Sequence, residues 1–409
     1  MNVRRSAAAL AAIAVVGAAA APAVAASPSP SPSVAKPSGL FGSGDPTYDG
    51  VWRQSLALLA QHTVGVEPAA KAVDWLTGQQ CANGAFAAFR ADPAKACDAK
   101  VMVDTNSTAA AVQALAALGG HDAQTGKAVT WLKSVQNKDG GWGYTPGGAS
   151  DANSTSVVVG ALTAAGEKPD AVRKDGKSPS DALLKLALPC ADGGAFAFQP
   201  DKAGKLAANA DATAAAVLGA LGKGLVAEPA PKAAAPTCSD GARTPAQAAA
   251  NGAAYLAQAV RKDGHLTSAM PGATDQPDYG NTADAVVALA AQGGAEQARQ
   301  PLAWLEKNAS GWARQSGPAA YAQLIFAAHA TGTDPRNFGG QDLVAQLNAT
   351  GPAPQSKATA QQDGQKDEKK DEKKDDDSPF GVWWFVGVCL VAGVGIGFLM
   401  SGRRKGQQL

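Results

Sequence analysis

Lys127-Ala-Val-Thr-Trp131-Leu-Lys-Ser-Val-Gln136-Asn-Lys-Asp139-Gly140-Gly141-Trp142 is the stretch that decides the fold. It reads as a helix that stops at a glycine-rich turn and resumes on an aromatic residue. The same order stands upstream in Lys71 to Phe86, with Trp75, Gln79, Gln80 and Gly84. Weaker copies run from Leu184 to Phe196, from Tyr255 to Leu266 and from Trp304 to Trp312. An aromatic at a fixed place before each turn predicts a ring anchored in the next unit, so Trp75, Trp131 and Trp304 are read as structural. Asp-Gly suits a tight reversal that needs positive φ.

A second pattern alternates with the first. It opens on a polar cluster and runs into small apolar residues: Asp104-Thr-Asn106-Ser107-Thr108, Asp151-Ala-Asn153-Ser154-Thr155, Asn209-Ala-Asp211-Ala-Thr213 and Asp278-Tyr279-Gly-Asn281-Thr282. A helix that is apolar nearly all round is a buried one. Its opening Asp, Asn, Ser or Thr is a cap whose side-chain oxygen accepts a free backbone N–H. With Val51 to His62 and Gly317 to Thr331 as further inner helices and Gln341 to Leu347 as a last outer one, each kind numbers about six. The expected fold is all-α: an α6/α6 toroid over residues 45–351, buried helices inside and amphipathic ones around them.

The flanks read differently. Residues 1–25 carry Arg4 and Arg5, an apolar run and Ala23-Val24-Ala25, the features of a secretory signal peptide. Residues 26–44 form a Ser/Pro-rich linker and residues 352–379 a charged stalk that cannot bury a core. Residues 380–400 hold no charge and are long enough to cross a bilayer as a transmembrane helix. Arg403, Arg404 and Lys405 place residues 401–409 in the cytoplasm. The expectation is a single-pass protein of the cell membrane, its N-terminal body outside the cell.

The composition of the 409 residues fits this picture. Thirty-six Lys and Arg balance 35 Asp and Glu, so the chain offers no basic field for nucleic acid. Cys81, Cys97, Cys190 and Cys238 are four exoplasmic cysteines, suited to disulfides in an oxidising compartment. Of three connectivities, nearness in sequence favours Cys81 with Cys97 and Cys190 with Cys238. With no CxxC and no His at ligand spacing, no metal site is read.

The turn from Gln136 to Trp142 is similar to the QW motif of the terpenoid cyclase and protein prenyltransferase α/α-toroid superfamily, and the Asp-x-Asn-Ser-Thr openings resemble its inner-helix starts. The resemblance covers nearly all of residues 45–351. Squalene to hopene cyclases of that superfamily protonate a polyene with the middle Asp of Asp-x-Asp-Asp-Thr-Ala. Here Asn106 stands at that place, and an amide cannot supply the proton. The zinc ligands of the prenyltransferases are not found either. No catalytic residue is therefore assigned, no cofactor is required, and a ligand binder is expected before an enzyme.

Ser107-Thr108-Ala109-Ala110 is similar to the inner-helix starts of secreted cobalamin carriers, transcobalamin and intrinsic factor. That likeness implies a corrinoid as the small-molecule ligand, with an uptake transporter or a separate β-domain protein as partner. Convergent helix N-termini at one mouth would favour polar ligand groups. The candidate ligand contacts are Asp104, Asn106, Ser107, Asp151, Asn153, Ser154, Asn209, Asp211, Asp278, Tyr279 and Asn281, with Trp142 and Tyr144 placed to stack on a flat ligand. Two other readings stand beside this one: a cyclase-like enzyme using Asp211 or Asp284 as its acid, and a scaffold for another surface protein.

Overall fold

Thr108, Thr155, Thr213 and Thr282 each stand four residues after a helix cap, and their hydroxyls organise the fold. The computed structural model describes residues 37–356, except 242 and 269–274. The signal peptide, the first part of the linker, the stalk beyond 356 and the expected span 380–400 lie outside the described residues. Among the described residues no helix is long and apolar enough to cross a membrane.

In chain order the helices are α1 (Gly50–Thr63), α2 (Ala70–Gly78), α3 (Thr105–Leu118), α4 (Asp122–Ser134), α5 (Ala152–Ala164) and α6 (Pro179–Leu186). Then come α7 (Ala210–Ala220), α8 (Pro245–Val260), α9 (Tyr279–Ala291), α10 (Ala295–Asn308), α11 (Ser310–Ser316), α12 (Pro318–Thr331) and α13 (Leu343–Ala349). One short antiparallel hairpin, β1 (Leu266–Ser268) with β2 (Gln276–Asp278), precedes α9. The fold is therefore mostly helical. Helices α1, α3, α5, α7, α9 and α12 each touch the next, and α12 returns to α1. These are the small-residue helices of the second sequence pattern, and most of their residues are buried. Alanine dominates them because a ring of helices packed on both flanks leaves little room for large side chains.

Each cap fixes where an inner helix begins. Asp104 Oδ1 accepts from Ser107 N at 2.6 Å, Asp151 Oδ1 from Ser154 N at 2.6 Å, and Asn209 Oδ1 from Ala212 N at 2.8 Å. Asp278 Oδ1 accepts from Asn281 N at 3.1 Å. The threonine one turn later ties the helix to the preceding outer turn. Thr108 Oγ1 accepts from Phe86 N at 2.9 Å, Thr155 Oγ1 from Trp142 N at 3.1 Å, Thr213 Oγ1 from Phe196 N at 2.9 Å, and Thr282 Oγ1 from Leu266 N at 3.0 Å. The backbone N–H of the turn would otherwise be buried without a partner.

The turn itself is held from the outer side. Gln136 Nε2 donates to Gly140 O at 2.8 Å and to Val172 O at 3.1 Å, and Trp142 Nε1 donates to Leu132 O at 2.8 Å. Gly140 has φ +93°, and a Cβ there would lie 2.2 Å from Ser178 O at the start of α6. Only glycine allows that approach. Gly84 makes the same contact with Lys127 O, and Gly39 with Lys71 O. The body therefore begins before residue 45. Leu40 and Phe41 are buried, and Gly42 N donates to Thr350 O at 2.9 Å, which joins the two ends of the ring. An apolar pair in an otherwise polar linker is what that burial requires.

After α7, residues 221–230 form a strap across the C-terminal halves of the inner helices. Leu225 N donates to Gln113 Oε1 at 2.8 Å, and Gln113 Nε2 donates to Val157 O at 3.0 Å. Gly160 and Gly224 meet so closely that a Cβ on Gly160 would lie 2.6 Å from Gly224 Cα. Lys223 Nζ donates to Ala291 O at 3.1 Å, and Glu228 Oε1 lies 2.8 Å from His329 Nε2.

Both disulfides follow the short-range pairing, Cys81 with Cys97 and Cys190 with Cys238.

Candidate functional site

Helices α1, α3, α5, α7, α9 and α12 all contribute to the wall of one cavity of about 200 Å³, from their first turns to past their midpoints. Its walls are largely apolar: Trp52 and Leu56 from α1, Val157 from α5, Leu218 from α7, Val287 from α9 and Phe326 from α12. Its polar lining is Asn106, Asn153, Ser156, Asp211, Asp284 and Gln323, while Lys223, Gly224 and Leu225 of the strap close the far side.

The helix register explains which polar residues face inward. Asn106, Asn153 and Asp211 each follow their cap by two positions, so three successive helices present the same face to the cavity. Asn153 Nδ2 donates to Asp211 Oδ2 at 2.9 Å, linking α5 to α7. Asp284 lies one turn deeper on α9. Gln323 of α12 donates its Nε2 to both Asp284 oxygens, at 3.2 and 3.1 Å.

The two carboxyls differ in acidity for physical reasons. Burial raises Asp211, opposed by the Asn153 hydrogen bond and reinforced by the charges of Asp278 and Asp151. Asp284 is pushed up to about 7, first by burial and then by the negative charge of Asp211, against the Gln323 bond. Negative charge on Asp211 thus helps Asp284 to keep its proton. The result is a buried carboxyl that is still half protonated near neutrality, a group that acid chemistry can use.

Of the expected ligand contacts, Asn106, Asn153 and Asp211 line the cavity. The oxygens of Asp104, Asp151, Asn209 and Asp278 serve the caps instead, and none of the four lines the cavity. Ser107 and Ser154 are buried beside those caps. Asn281 Nδ2 donates to Asp278 Oδ2 at 2.8 Å, and Tyr279 stacks on Trp312 with centroids 5.6 Å apart. Trp142 requires a correction. It is 0% exposed and its N–H is bound, so it cannot stack on a ligand; it anchors the turn. Tyr144 is exposed but does not line the cavity.

Gln323 and Ser156 are absent from the expected contacts, and Asp284 is expected there only as one of two candidate acids of the cyclase-like alternative. Asp284 had a visible signal, a lone carboxyl between Ala283 and Ala285 on an apolar helix. Gln323 in Tyr321-Ala-Gln323-Leu is the same kind of exception. Among the described residues no group of His, Cys, Asp and Glu could hold a metal ion.

Residues 51–194 match the family described as the prenyltransferase alpha-alpha toroid domain. This segment runs from the first inner helix to the turn after α6, and the match supports the superfamily that the QW-like turns imply. The matches give no support to the cobalamin-carrier branch. A stretch of 78 residues is 44% identical to drimenyl diphosphate synthase of Streptantibioticus cattleyicolor, covering 19% of this chain and 13% of that protein. The chain therefore spans only a small part of that relative's length.

Among solved structures, the toroid chain is similar to ent-copalyl diphosphate synthase from Streptomyces platensis, with a TM-score of 0.46 and 17% identity over 69% of this chain and 50% of that one. A sugar epimerase from a ruminal bacterium gives a TM-score of 0.45 and 14% identity over 67% and 81% of the two chains.

Proposed function

We propose that the chain is a terpenoid cyclase-like enzyme in which Asp284 protonates an acyclic polyene inside the toroid. The observation that carries this reading is a carboxyl lifted to about 7 in a cavity with mostly apolar walls. A polyene has no lone pair to bind, so cyclisation needs an acid that is still protonated at working pH and placed against a C=C bond in a dry site. Asp284 supplies the proton, and Gln323 holds its carboxyl in place. Asp211 and the faces of Trp52 and Phe326 then stabilise the positive charge that develops on carbon. The similarity to a drimenyl diphosphate synthase supports the same class of chemistry.

Electrostatics favour a neutral hydrocarbon over a diphosphate. Among the described residues Lys223 is the one cationic residue of the lining, against the carboxyls of Asp211 and Asp284, and its ammonium donates to Ala291 O. A corrinoid is disfavoured by size, because about 200 Å³ lies below the roughly 300–1,000 Å³ of pockets that enclose drug-sized ligands. The cavity takes the reacting end of a longer chain. The body is read as an α6/α6 toroid with α11 as an extra short helix that packs mainly on α12. The work takes place outside the cell on a tethered domain; the signal-like residues 1–25, the two disulfides and the uncharged residues 380–400 support this.

The test is incubation of the purified protein with squalene and with shorter acyclic polyenes, followed by gas chromatography and mass spectrometry. Cyclic products that disappear in Asp284→Asn, by about 10²-fold or more, are expected. Intact substrate in every reaction, or full activity in the variant, would overturn the assignment.

A further inference from the structure

The ninth residues of five inner helices divide into two sets. Leu218 of α7, Val287 of α9 and Phe326 of α12 line the cavity. Gln113 of α3 and Gly160 of α5 seat the strap instead. Gln113 is 3% exposed; its Oε1 accepts from Leu225 N and its Nε2 donates to Val157 O, so a buried amide spends both ends on holding the strap against α5. Gly160 lies inside a helix, where glycine is a poorer choice than alanine. Its use is the approach of Gly224. A Cβ on Gly160 would lie 2.6 Å from Gly224 Cα, and one on Gly224 would lie 2.3 Å from Gln113 Oε1. Two glycines and a glutamine thus form a socket that admits backbone into the ring, and Gly224 and Leu225 line the cavity from it.

The connection that carries the strap is long for its place. Residues 221–244 join α7 to α8, whereas three residues join α3 to α4 and three join α9 to α10. No helix or strand interrupts its described residues, and connections of that length inside a compact domain are usually functional. Its height relative to the acid follows from helix geometry. Asp284 is the sixth residue of α9, so the level of the socket lies three residues further along, about 4.5 Å at the rise of an α-helix. A chain that enters where the inner helices begin passes Asp284 and meets the strap within one helical turn. How far it travels decides which of its C=C bonds rests against the acid.

We propose that the strap is a stop that selects the C=C bond to be protonated, with Leu225 as the side chain that the substrate end meets and Gln113 and Gly160 as the residues that fix its height. The inference rests on the cyclase reading. The Asp284 carboxylic acid gives its proton to one carbon of the selected bond, and ring closure moves the resulting cation along the chain. The last cation sheds a proton from a neighbouring carbon to solvent, and the Asp284 carboxylate takes one back. One proton enters and one leaves, so the product is an isomer of the substrate.

The experiment is turnover of squalene by the full chain in D₂O, with the position of the incorporated deuterium read by nuclear magnetic resonance. In the parent, deuterium is expected at a single C=C position. Leu225→Ala removes the stop, and Gly160→Ala pushes the strap out of its socket. Each should raise protonation at the next bond inward, relative to the first, by about tenfold or more, the effect that methylene-sized changes have on discrimination in an apolar pocket. The ratio does not depend on how much of a preparation is folded, and Leu225→Ala leaves the socket intact. Deuterium spread over several bonds in the parent, or a ratio unmoved in both variants, overturns the stop and leaves the cyclase reading standing. A complete lack of turnover overturns the cyclase reading instead. In that case a hydrocarbon with a photoreactive diazirine on its end carbon decides the stop: crosslinks to residues 218–225 support it, and crosslinks confined to the loops before the inner helices reject it.

Discussion

Asp284 couples the chemistry of the site to the stability of the fold. Its folded-state pKa, about 7, lies above the ordinary aspartate value of 3.8, so the folded protein holds a proton that the unfolded chain has lost between those two values. Stability therefore falls as pH rises through that window and levels off above it. Asp284→Asn removes the penalty. The variant should melt at a higher temperature than the parent at pH 8, with the gain vanishing near pH 4. Since one pKa unit corresponds to about 1.36 kcal/mol, the difference should be on the order of a few kcal/mol. Thermal melts across that range check it, and a gain independent of pH would contradict the account. On the proposed cyclase reading, turnover should decline in parallel as pH rises through 7, because the proposed proton donor is lost.

The threonine clasps make a second prediction at this scale. Thr155→Val keeps the shape of the side chain but leaves Trp142 N without its acceptor. A loss of about 1–3 kcal/mol is expected in urea unfolding. The caps were plain in the sequence, since Asp and Asn before an apolar run have few other uses. The clasp was not, because a threonine in a capping cluster reads as one more cap until the partner N–H, 13 residues away, is placed beside it.

At the level of elements, the QW-like turn is a joint between an outer helix and the start of the next outer helix. Gly140→Ala would put a methyl group 2.2 Å from Ser178 O on a backbone with φ +93°. The expected result is a destabilisation of several kcal/mol or an insoluble product. Gly147, also at positive φ but with nothing near its Cβ position, is the control. Its change to Ala should cost about 1 kcal/mol or less, and circular dichroism melts compare the two. Alternation of inner and outer helices was legible because the apolar pattern changes sharply between them. Which inner residues meet in the cavity was not. On a helix each step turns the side chain by about 100°, so Asp104 and Asn106 face different neighbours although both are polar and both lie in the first turn. The strap was equally hidden, since Lys223 to Ala230 carries no repeat and reads as a loop.

For the whole molecule, the two disulfides close segments of unequal length. Cys81 and Cys97 are 16 residues apart, whereas Cys190 and Cys238 are 48 apart and enclose α7. In the chain-entropy view the longer closure contributes about 4 kcal/mol and the shorter about 3 kcal/mol. Paired Cys-to-Ser variants should therefore melt in that order, the longer loop being the more damaging. Equal effects would mean that the unfolded chain already holds these segments together. The superfamily could be read from repeated turns and caps because a ring of similar units repeats its constraints. The functional reading drawn from the same residues moved, since conserving a ring says little about what the ring encloses.

The strap gives the toroid a bottom. With Lys223, Gly224 and Leu225 across the far side, a molecule bound beside Asp284 is expected to enter and leave at the end where the inner helices begin. A flexible chain can thread inward one bond at a time, but a fused ring system has to back out as a single rigid body wider than the thread that came in. For the proposed cyclisation, departure rather than the making of bonds would then set the pace, and accumulated product should compete with fresh substrate for the same doorway.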